Sequence, residues 1–352
     1  MNTIPAKVRC KIILVAGMAT AACLSPNRAA AQSGEPFGQG MAEFRAGNYS
    51  SAAAKFATAE AASPGVTDAL LFQARCFVHL EDFAAAEKAL HTYLDSHRDS
   101  ADARYLLGFV LERENRPAES LSIYTQAAAL VRPLGDDLKI VGLDYILLDD
   151  YSDAIKWLEK SVELDPQNKD AWYYLGRADY TRGRLGEARA AFLHVLDLDP
   201  RDARAENNLG LILESEGQPA AAAEAYRSAI AWQHPNSRQS EQPYINLGNL
   251  LMEQGESKEA LDALQKSVEL APANAYCHLK LGMYYRKIGQ PEGAQRELEK
   301  ATALEPDNAT AHYQLGRVYK ETNSIARAKA EFDRAAELQA RSAGSSAEPA
   351  RH

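Results

Sequence analysis

Cysteine is scarce in this chain: Cys10, Cys23, Cys76 and Cys277 are the four among 352 residues. Cys76 and Cys277 stand so far apart along the chain that two buried free thiols are expected rather than a disulfide. Positive charge is also in deficit, with 39 lysines and arginines against 48 acidic residues, which argues against a nucleic-acid binder. The eight histidines are scattered without the paired spacing of a helix-borne zinc site. No phosphate loop, nucleophile elbow or calcium loop occurs. The acidic pairs Asp136 with Asp137 and Asp149 with Asp150 fall at turns, where solvated caps explain them. The expectation is therefore a chain without metal, cofactor or catalytic centre.

Long apolar runs are missing too. The run from Ile12 to Leu24 is short for a membrane span. It follows Lys7, Arg9 and Lys11 and precedes a small-residue stretch, Ala29 to Gln32, which is the layout of a secretory signal peptide over residues 1–31, cleaved after Ala31. An uncleaved anchor and acylation at Cys23 are the alternative readings. Export to the periplasm or the cell exterior is the corresponding expectation.

What the chain has in abundance is repetition. With Leu175 as position 7 and Gly176 as position 8, steps of about 34 residues bring glycine back at Gly40, Gly108, Gly142 and Gly210. Ala74 is the one exception. After a four-residue slip the series resumes at Gly248, Gly282 and Gly316. Position 20 is small throughout, from Ala52 to Ala328, with Ser120 the only hydroxyl. Position 24 is always large, as in Phe56, Leu90, Tyr124, Leu158 and Phe192. Nine repeats fit: 33–66, 67–100, 101–134, 135–168, 169–202, 203–236, 241–274, 275–308 and 309–342.

These constraints are mechanical. Two antiparallel helices approach closely only where small residues meet, which positions 8 and 20 supply, with large residues at positions 7 and 24 filling the space beside the crossing. Glycine at position 15, as in Gly47, Gly183 and Gly289, permits the short turn after the first helix. Proline at position 32, as in Pro166 and Pro200, ends the second.

On motifs such as "WYYLGRADY" and "LGNLLMEQGESKEAL", recurring in register, the chain resembles a tetratricopeptide repeat protein. The resemblance implies an all-α fold, a right-handed superhelical solenoid of helical hairpins over 32–342, and a function in binding other proteins. It further implies that positions 2, 5, 9, 12 and 13 of each first helix face a concave groove. Those positions give Tyr105, Phe109, Tyr173, Arg177, Tyr180, Asn207, Asn249, Tyr276, Arg286, Tyr313 and Arg317 as candidate partner-binding residues. Tyrosine and arginine are side chains that often dominate interface energies. The family's clamp for carboxylate-terminal tails finds no match, because Lys139 is followed by Leu143 and Asn208 and Asn246 lack the required basic partners.

Departures from the pattern are expected at Pro36 in the first helix, at the turn around Pro133, and in the insertion between Trp232 and Pro243. The last helix carries a narrow apolar stripe through Ala328, Phe332, Ala335 and Leu338, as a capping helix must. Residues 343–352 read as a disordered tail. The functional expectation is a non-catalytic scaffold that holds a peptide or protein in its groove. The alternative is an envelope assembly or surface-polymer export component tethered through Cys23.

Overall fold

Several repeats begin where a proline stops the helix before it. Pro166 and Pro200 follow Asp165 and Asp199, whose backbones are extended, at φ −136° and −141°. The proline ring disfavours a helical residue before it. Two residues beyond the proline, an Asn or Asp caps the next helix. Asn168 accepts from the Ala171 amide at 3.1 Å, Asp202 from Ala205 at 3.2 Å and Asn308 from Ala311 at 3.0 Å.

The computed structural model describes residues 35–65, 67–234, 239–255 and 258–345. Among the described residues there are 18 helices and no strand. They form nine successive hairpins: α1 (Glu35–Arg45) with α2 (Tyr49–Ala62), α3 (Ala69–His79) with α4 (Phe83–Ser96), and α5 (Ala101–Arg113) with α6 (Pro117–Ala128). Then come α7 (Gly135–Leu147) with α8 (Tyr151–Leu164), α9 (Lys169–Thr181) with α10 (Leu185–Leu198), and α11 (Ala203–Ser215) with α12 (Pro219–Trp232). The last three are α13 (Gln242–Gln254) with α14 (Lys258–Leu270), α15 (Ala275–Lys287) with α16 (Pro291–Leu304), and α17 (Ala309–Glu321) with α18 (Ile325–Ser345). The expected signal segment lies outside the described residues, as do residues 346–352 of the expected tail.

The chain divides at Pro133 and Leu134 into two compact units, α1–α6 and α7–α18. Within each, every first helix packs on its own second helix, and that second helix packs on the next first helix. In the second unit the first helices α7, α9, α11, α13, α15 and α17 also touch their successors, forming one row.

Position 8 is glycine because the position 24 side chain lies directly on it. A β-carbon on Gly108 would stand 2.5 Å from the Tyr124 ring, and one on Gly176 2.9 Å from the Phe192 ring. Position 24 therefore sits over the glycine, not beside the crossing. Position 20 is buried in every repeat, and its one hydroxyl, Ser120, donates to the Gly108 carbonyl at 2.8 Å across the hairpin.

Neighbouring repeats are also joined by a side chain at position 4. Trp172 donates through Nε1 to the Pro166 carbonyl, and the Nε2 atoms of His278 and His312 lie against the carbonyls of Pro272 and Pro306, all at 3.0 Å. His278 is buried and its Nδ1 lies 2.7 Å from Glu297. The insertion after α12 is closed at its base, where Gln233 donates to the Ser240 carbonyl at 3.1 Å and accepts from its amide.

Candidate binding groove

The first helices carry the candidate residues, and the two units hold them in different states. In the first unit both candidates belong to α5 and serve packing. The Tyr105 hydroxyl donates to the Val131 carbonyl at 2.7 Å and its ring rests on Tyr124. Phe109 is half-buried against the core around Leu106 and Val110.

In the second unit the residues interlock from helix to helix. The guanidinium of Arg204 on α11 lies 4.6 Å from the centre of the Tyr173 ring on α9, and that of Arg177 lies 6.0 Å from it. Arg204 is fixed in turn by Asp202 at 2.9 Å and Asp170 at 3.1 Å. Lys169 reaches Asp202 at 3.0 Å and Asp199 at 2.6 Å. Burial opposes ionisation of Asp202, but hydrogen bonds and charge from Arg204 and Lys169 outweigh it and hold the carboxyl down to about 2. The hydroxyl of Tyr180 lies 3.4 Å from Ser215 Oγ on α11.

Asn207 is only 8% exposed, and its side-chain oxygen accepts from Asn246 on α13 at 2.9 Å. It joins two first helices and offers little to a ligand. Asn249 is half-buried, with a side-chain oxygen that meets no donor among the described residues.

Further along the row the surface opens. Tyr276 is 38% exposed, with the Lys280 ammonium 5.0 Å from its ring centre. Tyr313 is 46% exposed and its ring stands 5.6 Å from Phe332. They are the only exposed aromatic side chains among the described residues. Arg286 pairs with Glu321 at 2.9 Å. Tyr313, Arg317, Lys320, Glu321 and Phe332 line an open concavity of about 620 Å3.

Lys280 and Lys287 are basic groove neighbours absent from the candidate set. Counting charge helix by helix exposes them in the sequence: α15 has three bases and no acid. Among the described residues no group of three or more His, Cys, Asp or Glu is placed to hold a metal ion. No helix there is long and apolar enough to cross a membrane. Cys76 and Cys277 are buried free thiols, as the sequence predicts.

This hairpin architecture is shared with known proteins. Type IV pilus assembly protein PilF of Pseudomonas aeruginosa is 30% identical over 117 residues, covering 33% of this chain and 45% of PilF. The matches span less than half the length of the curated relatives. A solved PilF structure superposes with a TM-score of 0.51 at 21% identity, over 56% of this chain and 88% of that one. The Cut9–Hcn1 hetero-tetramer of the APC/C gives 0.60 at 16% identity, over 77% of this chain and 52% of that one. A tetratricopeptide repeat profile matches residues 43–108, 145–209 and 287–346, and two further profiles of the same description match 203–233 and 242–274. With its repeats matched over more than half its length and its hairpins stacked as these residues require, the chain belongs to the tetratricopeptide repeat family.

Proposed function

We propose that this chain is an exported, non-catalytic scaffold whose row of first helices holds a peptide or protein partner. The observation that carries the reading is the second unit's continuous first-helix surface, where Tyr173, Tyr276 and Tyr313 stand beside arginines and lysines of the same and adjacent helices. Tyrosine and arginine are enriched among the residues that dominate binding energy at interfaces. Export rests on the basic, apolar and small-residue order of residues 1–31.

A second reading is favoured by the 30% identity to a pilus assembly protein: a role in building an envelope structure, with Cys23 as the site of a lipid tether. A photo-crosslinking amino acid distinguishes groove from outer face. It is placed at Tyr173 or Tyr313, and separately at Leu193, exposed on a second helix. Adducts formed in the native envelope fraction from the groove positions alone support the scaffold. Adducts from Leu193 alone move binding to the outer face. The intact mass of the same chain reads cleavage after Ala31 against acylation at Cys23.

A further inference from the structure

The row of first helices in the second unit is electrically divided. Its earlier members α7, α11 and α13 each carry more acids than bases, and α9 carries as many of one as of the other. On α15 there are three bases, Lys280, Arg286 and Lys287, and no acid. On α17, Arg317 and Lys320 face a single acid, Glu321, which Arg286 already engages. No ion pair occupies Lys280, Arg317 or Lys320 among the described residues. This concentration of positive charge stands on a chain with a formal charge of −9. The exposed tyrosines Tyr276 and Tyr313 lie on these same two helices.

We infer that the α15–α17 face is a docking site for an extended acidic segment of a partner protein, which lays carboxylates on Lys280, Arg317 and Lys320 and apolar side chains on Tyr276 and Tyr313. This deepens the scaffold reading and rests on it. Charge complementarity selects the acidic partner, because unpaired cations flanking exposed rings gain from carboxylates without breaking existing ion pairs.

One feature favours a short peptide over a long polyanion: the acidic remainder of the row repels a nucleic acid continuing beyond the basic face. Two adjacent helices present a width of roughly 20 Å, which an extended segment of roughly six residues crosses.

The test uses the full chain and a fluorescein-labelled peptide of about ten residues in which Glu and Asp alternate with Leu and Gly, read by anisotropy. Binding is expected to weaken by about tenfold or more in the double variant Arg317→Glu/Lys320→Glu and to fall with added salt. Lys156→Glu, which reverses an exposed charge on α8, is expected to leave it unchanged. Each variant is first shown by circular dichroism to melt as the parent does. A variant set Lys280→Gln, Arg317→Gln and Lys320→Gln keeps the test open if charge reversal disturbs folding.

Four results overturn the inference. They are no binding, equal loss with Lys156→Glu, equally tight binding of polyphosphate or anionic vesicles, and self-association of the chain that the Arg317→Glu/Lys320→Glu pair abolishes. If crosslinks still form at Tyr173 when the acidic peptide fails, the scaffold stands and only the acidic partner is lost.

Discussion

A β-carbon added to Gly176 would meet Cε1 of Phe192 at 2.9 Å, closer than carbon atoms pack, so the α9–α10 hairpin is closed by a glycine beneath an aromatic ring. Gly176→Ala is expected to destabilise this hairpin by about 1–3 kcal/mol, the cost of overpacking a filled core. Repeat arrays lose strength locally. Hydrogen exchange should therefore quicken first in α9 and α10, while α17 and α18 keep their protection. Leucine at position 24 gives no more room, since a β-carbon on Gly142 would stand 2.6 Å from Cγ of Leu158, and Ala74 above a buried Leu90 is the one repeat that holds a methyl there. Gly176→Ala combined with Phe192→Ala should therefore cost less than the two single changes summed, and simple additivity would refute the direct contact.

The turn after each first helix needs a left-handed residue. Gly47, Gly183, Gly217, Gly255 and Gly289 supply it in five repeats, at φ between 71° and 88°. In the other four the same position holds Glu81, Asn115, Asp149 and Asn323, at φ 58° to 61°. A side chain pays a steric cost there that glycine avoids. Asp149 is exposed, so Asp149→Gly should stabilise the second unit by about 0.5–1 kcal/mol. Gly183→Ala should destabilise it by a similar amount or more. Urea midpoints of both variants against the parent decide the matter, and a loss of stability in Asp149→Gly would show that its side chain holds the turn.

The hairpin order was legible because each rule acts on a single residue type: glycine under a large side chain, proline after a helix, a small residue at the crossing. The left-handed position was only partly legible, since Glu81 and Asp149 meet a backbone need that their identities do not advertise. The groove was legible as a set of positions and not as a set of available side chains. Availability depends on what the surrounding residues do: Asn246 takes up Asn207, the Val131 carbonyl takes up Tyr105, and Tyr276 and Tyr313 stay exposed. The basic face was hidden because net charge sums over all faces of the chain.

Thiol chemistry offers a direct check on the interior. Burial pushes the Cys76 thiol up to about 12 and the Cys277 thiol up to about 11. At pH 8 neither forms appreciable thiolate in the native chain. Ellman's reagent should label neither residue until denaturant is added, after which both should react, with the sites assigned by peptide mass. Rapid native labelling of either would contradict its place in the core.

Acid should act on repeats five and six through two aspartates with opposite signs. Asp202 is held down to about 2 in the folded chain, below the ordinary 3.8, so its contribution is present above pH 4 and disappears as pH falls toward 2. A difference of nearly two units corresponds to about 2 kcal/mol. Asp179 is the reverse case. Burial raises it to about 6, and Arg184, with its Nε at 3.3 Å, offsets only part of that. Its charged form therefore weakens the fold above pH 6, and the penalty lifts as pH falls from 6 toward 4. Asp179→Asn should accordingly melt higher than the parent at pH 7 and lose the parent's gain between pH 7 and pH 5. Asp202→Asn, which keeps an acceptor for the α11 cap, should melt lower at pH 7 and converge with the parent near pH 2. Thermal melts at pH 3, 5 and 7 separate the two. A parent whose stability falls steadily from pH 7, with Asp179→Asn tracking it in parallel, would mean that Asp179 is solvated and that the α9–α10 turn opens to water.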